Sequence, residues 1–159
     1  MQIEWKGNNK IEIKTKGATI STGEKIKIND VELLGPGEYE VAGVEAFGIA
    51  QEIYVFRVED IGIGYFDSIN RALSAEEIKT LSDISIAIIP VGGKNVIDEN
   101  KAADIIKALE PTIVIPIEND NFDKFCKLVG KCQEPVNSYK VTKQQIALME
   151  GVTTVILNP

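Results

Sequence analysis

Apolar and polar positions alternate in short runs through the first thirty residues. In QIEWK the apolar side chains are Ile3 and Trp5, in KIEIK they are Ile11 and Ile13, and in KIKIN they are Ile26 and Ile28. A period of two sets one face against a core and the other in water, so these runs predict short antiparallel strands. Turn signals at Gly7-Asn8-Asn9, Lys16-Gly17, Thr22-Gly23 and Asn29-Asp30 separate them. Gly35-Pro36-Gly37 predicts a tight turn and Ala42-Gly43 a hairpin connection. EIYVFRVED and IGIGYF are expected to pair across Glu59-Asp60, deeper than the earlier strands because Tyr54 to Val58 are apolar on both faces.

After Ser68 the pattern changes. Ser74 caps SAEEIKTL, with acids in the first turn, and predicts a helix start. ISIAIIPV and TIVIPI read as strands buried on both faces. Between them DENKAADIIKALE is an amphipathic helix whose stripe is Ala102, Ile105, Ile106 and Leu109. NFDKFCKLVG reads as a further helix, and the tail ends on a strand, Val152 to Leu157. Strands followed by strand-helix alternation predict two packed sheets with helices over the second only. The first sheet's outer face is then bare, which suits its alternating lysines and glutamates. The expectation is an α+β fold in one domain over residues 1–159.

With 159 residues, 44% of them hydrophobic, the chain can bury a real core. No run approaches the roughly 18 to 20 apolar residues of a membrane span, and MQIEWKGNNK has no apolar leader region. No membrane partner and a cytoplasmic location are therefore expected. The net charge of −7, with lysines spread along the strands, excludes a basic backbone-binding patch, so no nucleic-acid partner is expected. Cys126 and Cys132 fall within one helical segment, six apart and so on different sides, and read as ordinary reduced thiols. Most informative is the absence of histidine. It removes every His-based triad and zinc motif, and with two cysteines leaves the chain poorly equipped for zinc.

Particular stretches resemble a known family. GPGEYEVAGV (35–44), LSDISIAIIPVGG (81–93), LEPTIVIPI (109–117) and the tail VTKQQIALMEGVTTVILNP are similar to small bacterial zinc-dependent hydrolases of the metallo-β-lactamase superfamily, in the lactonase-like branch. With IEWKGNNKIEIKTKGATI the likeness covers nearly the whole chain. The resemblance implies an αββα sandwich with a metal site where the sheets meet, held by an HxHxDH loop, a later histidine, a bridging aspartate and a last histidine. Followed onto this chain, the W-x-G-H-S histidine position is Asn8. Only KIKINDVELL stands where the HxHxDH loop would be, so loop and N-terminal helical layer read as deleted. The later histidine falls near Gln51-Glu52, the bridging aspartate at Asp67 or Ser68, its neighbouring histidine at Arg71, and the last ligand at Glu118.

The implied site is thus a vestigial lip of Asn8, Asp67, Ser68, Arg71, Gly92, Gly93 and Glu118, with no catalytic residue and no cofactor. Gly92-Gly93-Lys94 suits anions in principle but lacks P-loop spacing and reads as a turn shaping the rim. Ser68 and Ser74 lack a histidine base, and pairing Ser68 with Lys94 is the weaker reading. Glu38 and Glu40 share one strand face and read as the polar side of a hairpin. The leading expectation is a metal-free, non-enzymatic binding or structural subunit that self-associates or takes a protein partner through an edge strand or hairpin such as PGEYE. One alternative is a residual hydrolase with Mg²⁺ or Mn²⁺ on the oxygens of Glu118, Asp67, Glu52 and Asn119. The other is a small-ligand sensor using the old pocket.

Overall fold

A computed structural model describes all residues, Met1 to Pro159. The alternating N-terminal runs form β1 (Gln2–Trp5), β2 (Ile11–Lys14), β3 (Thr19–Ser21), β4 (Ile26–Ile28) and β5 (Val31–Leu33). Each is joined to the next by a short turn and all pair antiparallel. The late strand β12 (Tyr139–Lys140) adds to β1, giving the order β12-β1-β2-β3-β4-β5. Ile3, Trp5, Ile11, Ile13, Ile20, Ile26 and Ile28 are buried on the inner face. The outer face carries Glu4, Glu12, Lys14 and Lys27, with Lys14 bridging Glu12 and Glu4. No helix covers it, as the pattern predicts.

The second sheet is mixed. Its hairpins are β6 (Gly37–Val41), β7 (Val44–Ala50), β8 (Ile53–Val58) and β9 (Ile61–Phe66), paired antiparallel in sequence. Then β10 (Ile86–Pro90), β11 (Ile113–Ile117) and β13 (Thr153–Thr154) continue it in parallel, giving β13-β11-β10-β9-β8-β7-β6. Every residue of β10 and β11 is buried. This is the signature of a parallel strand covered on both sides. Burying one such isoleucine contributes roughly 2 kcal/mol relative to leaving it exposed. The core between and behind the sheets is one continuous apolar cluster.

Helices are confined to the second half: α1 (Ala75–Thr80), α2 (Glu99–Leu109), α3 (Asp123–Val129) and α4 (Lys143–Ala147). Ser74 and Glu77 close a full capping box on α1, and Thr142 with Gln145 does so on α4. The buried stripe of α2 is Ala102, Ile105, Ile106 and Leu109. No helix is long and apolar enough to cross a membrane.

Two expectations need correction. The terminal strand is shorter than Val152–Leu157, with pairing at Thr153–Thr154 and a separate bridge at Leu157. The cysteines are not free: Cys126 and Cys132 form a disulfide with their Cα atoms 5.7 Å apart. They do not share a helix. α3 ends at Val129, Gly130 (φ +71°) and Lys131 (φ +50°) reverse the chain, and Cys132 bridges Thr154 beside β13. Helical periodicity therefore does not apply across the pair, and the reading of the two cysteines as reduced thiols is overturned.

Candidate functional site

At the carboxyl ends of β9, β10 and β11 the two sheets meet, and the polar groups there are tied into one chain of hydrogen bonds. It begins in the first hairpin turn. The Asn9 carbonyl accepts from the Thr22 hydroxyl and from the Tyr65 hydroxyl, each at 2.7 Å. The Thr22 Oγ1 in turn accepts from the Ile11 amide at 2.9 Å. The Asn9 Nδ2 donates to Asp67 Oδ1 at 2.7 Å, and the Tyr65 oxygen lies 3.3 Å from the same carboxylate oxygen. Ser68 completes the chain, its hydroxyl within 3.4 Å of Asp67 and 3.2 Å of Glu118 Oε1. No buried side-chain polar atom lacks a partner.

The electrostatics follow from this arrangement. Tyr65 is wholly buried, and burial together with the Asp67 charge holds its phenol far above its ordinary range. It is a permanent hydrogen-bond donor, not a base. Burial also raises the Glu118 carboxyl; the Ser68 hydrogen bond pulls it back and the Asp67 charge pushes it up again. A hydroxyl shared by two carboxylates is poorly placed to become an alkoxide, since negative surroundings oppose its ionisation. Ser68 is accordingly a bridge.

The backbone around the lip is tightly fitted. Asn8, Ser68 and Glu118 all lie in the left-handed region, at φ 50°, 48° and 70°. A Cβ on Gly93 would stand 2.7 Å from the Glu118 carbonyl oxygen, and one on Gly92 would stand 2.9 Å from Asn119 Nδ2. The two glycines thus let the β10 loop press against the β11 loop. Beside Glu118 lies an open recess of about 270 Å³ lined by Trp5, Asn8, Asn119 and Asp120. Trp5 is core, as its alternation predicts, and its Nε1 donates to the Asn8 carbonyl at 2.7 Å.

The structure brings together Asp67, Ser68 and Glu118 from the predicted lip, with Gly92 and Gly93 behind them and Asn8 at the recess. It turns Arg71 elsewhere. That guanidinium donates to Glu52 at 2.6 Å and, through Nη1 and Nη2, to both oxygens of Glu77 at 2.9 and 2.7 Å. Glu52 is therefore committed to Arg71, and the Asn119 amide lies 3.4 Å from the Gly92 carbonyl. The four-oxygen convergence weighed for Mg²⁺ or Mn²⁺ is not formed.

Zinc, the metal that the resemblance implies, is equally ill served. The chain has no histidine, its cysteines are bonded to one another, and no three His, Cys, Asp or Glu side chains converge. The donor set does not fit the ion.

Sequence reading missed three members of this cluster: Asn9, Thr22 and Tyr65. Tyr65 carried a signal, because it stands two residues before Asp67 and strand periodicity places the two on one face. Asn9 stands at the last position of the W-x-G-H-S match, beside Asn8, and Thr22 in the Thr22-Gly23 turn, but neither position by itself pointed to this cluster.

Comparison with known proteins agrees with this architecture. Residues 3–118 match the family described as a Beta-lactamase superfamily domain. A candidate Zn-dependent hydrolase of the metallo-beta-lactamase superfamily from Thermotoga maritima is 19% identical, with TM-score 0.82 and 99% of each chain covered. That structure is matched over almost its entire length, so the compact form is not peculiar to this chain. The metallo hydrolase Igni18 from the hyperthermophilic archaeon Ignicoccus hospitalis gives TM-score 0.58 at 10% identity, covering 79% of this chain and 88% of that one. A candidate metal-dependent hydrolase from Parabacteroides distasonis gives TM-score 0.52 at 12% identity, covering 77% and 55%. No curated protein matches the chain.

Proposed function

The chain belongs to the beta-lactamase superfamily, and from that premise we propose that it is a non-catalytic member serving as a binding or structural subunit. One observation carries this reading. Where the fold would assemble metal ligands, Asn9, Tyr65, Asp67, Ser68 and Glu118 are hydrogen-bonded to one another, Tyr65 through the Asn9 backbone carbonyl and the rest through side chains. A catalytic metal needs a set of convergent donors and an open position for water. Here two carboxylates share one serine hydroxyl, and no third His, Cys, Asp or Glu side chain joins them.

The test is metal content by mass spectrometry on protein purified without chelator or histidine tag. Thermal melts with Zn²⁺, Mn²⁺ and Mg²⁺ accompany it, with a panel of ester, lactone and phosphoester substrates. We expect no stoichiometric metal, no melting shift and no turnover. Bound metal near one per chain, abolished by Glu118→Ala, would overturn the proposal in favour of a rebuilt hydrolase. Stabilisation by a small ligand without turnover would instead assign the recess beside Glu118 to a sensor.

A further inference from the structure

The subunit reading requires a surface, and the free edge of the second sheet supplies one of defined chemistry. β6 is the last strand of that sheet and pairs only with β7. The two strands are joined by the two-residue turn Ala42-Gly43, both residues in the left-handed region at φ 50° and 78°. This turn type closes on a hydrogen-bonded pair, here Val41 with Val44. By the alternation of an antiparallel ladder, Tyr39 and Gly37 also bond to β7. Glu38 and Glu40 therefore turn their amides and carbonyls to the open side. Their side chains are exposed on the outer face, opposite Phe47 and Glu45. Tyr39 and Val41 face inward and are only half-buried against the core.

A second copy of this chain is a poor occupant. Pairing β6 with itself antiparallel must set outward residue against outward residue to satisfy the ladder. Every such register places Glu38 opposite Glu38, Glu40 opposite Glu40, or Glu38 opposite Glu40. Like charges directly opposed destabilise a sheet pair. The self-association expected through PGEYE is therefore disfavoured at this edge. The whole chain carries −7, which adds to that repulsion.

We infer that β6 accepts an extended segment of a different protein in which Lys or Arg alternates with apolar residues. Two basic side chains at i and i+2 then lie across from Glu38 and Glu40, while the apolar residue between them completes the burial of Tyr39. Main-chain bonds to Glu38 and Glu40 set the register, and the charge pairs set the preference for a basic strand. Leu34, 85% exposed just before β6, offers an apolar contact to a residue flanking the segment. This inference rests on the reading of the protein as a binding subunit.

The probe is a fluorescein-labelled, end-capped heptapeptide alternating lysine and valine, followed by anisotropy. It is compared with a glutamate-valine peptide and with a lysine-valine peptide N-methylated on alternate backbone amides. The lysine peptide is expected to bind saturably and the glutamate peptide not, with affinity falling about tenfold or more on N-methylation. The double variant Glu38→Lys, Glu40→Lys should reverse the preference. If that variant does not fold, the N-methyl comparison on the unaltered protein still decides. Equal binding of the N-methylated peptide would reduce the effect to bulk charge and overturn the inference. So would absence of saturable binding at millimolar peptide, or a dimer in sedimentation that Glu38→Lys dissolves. Failure here with metal and turnover both absent removes only this inference. Binding here alongside metal-dependent turnover removes the subunit reading instead.

Discussion

Asn9 donates through Nδ2 to Asp67 Oδ1 at 2.7 Å, across 58 positions of sequence, and so fastens the first hairpin turn of one sheet to the end of β9 in the other. Both side chains are half-buried, so the bond is partly shielded from water. Asn9→Ala is expected to lower stability by about 0.5–1.5 kcal/mol, the usual worth of such a bond. Asn9→Asp should cost more at neutral pH, because it sets a carboxylate against Asp67. Urea midpoints of the two variants decide this; an Asn9→Asp protein as stable as Asn9→Ala would show that Asp67 does not feel the position.

Arg71 grips Glu77 with both terminal nitrogens and Glu52 with Nε. The guanidinium and the Ser74 amide hold the Glu77 carboxyl down at about 2. A depressed carboxyl stabilises the fold above the ordinary carboxylate range and loses that contribution as pH falls toward 2. Arg71→Ala should therefore cost about 1 kcal/mol at pH 7, in keeping with a half-exposed but bidentate pair. The cost should shrink steadily below pH 4.5. A deficit that stays constant down to pH 3 would mean that Arg71 acts through packing and not through charge.

The disulfide between Cys126 and Cys132 closes a short loop that pins the end of α3 to the segment bridging β13. On the chain-entropy account a loop this short contributes about 2 kcal/mol. The double variant Cys126→Ser, Cys132→Ser, or reductant added to the native protein, is expected to lower the melting temperature accordingly. Intact mass after iodoacetamide treatment in denaturant without reductant checks the bond itself: two added carbamidomethyl groups per chain would show the thiols free.

What was legible in the sequence divides by range. Ile3 with Trp5 and Ile11 with Ile13 declare their strands by alternation, and the unbroken apolar runs of β10 and β11 declare burial on both faces. These signals are local and physical, so the layers follow from them. The lip was legible only as a set of positions. That Ser68 would join Asp67 to Glu118 depends on how loops fifty residues apart settle together, and that Arg71 would turn to Glu52 and Glu77 depends on how its loop packs against the β7–β8 turn and the start of α1. The cysteines failed for a related reason. Gly130 ends the helix between them, and one turn residue in the left-handed region changes which side chains can meet.

Glu118 gives the sharpest test of a lip that is structural. Burial raises its carboxyl above the ordinary value, and the nearby Asp67 charge adds to the effect. A carboxyl whose folded value lies above its unfolded value favours the fold when protonated. That contribution is fully present below the unfolded value, near 4.5, and is lost as pH rises through the folded one. At neutral pH the ionised Glu118 is thus a small burden on the native state. Glu118→Gln removes the charge while keeping an oxygen for the Ser68 hydroxyl. It is expected to raise the melting temperature at pH 7, with the gain fading as pH approaches 4. Paired melts across pH 4 to 8 measure it. A glutamine variant less stable than the native protein at pH 7 would mean that the Glu118 charge is held by an interaction that favours it, and the lip could no longer be read as a closed structural cluster.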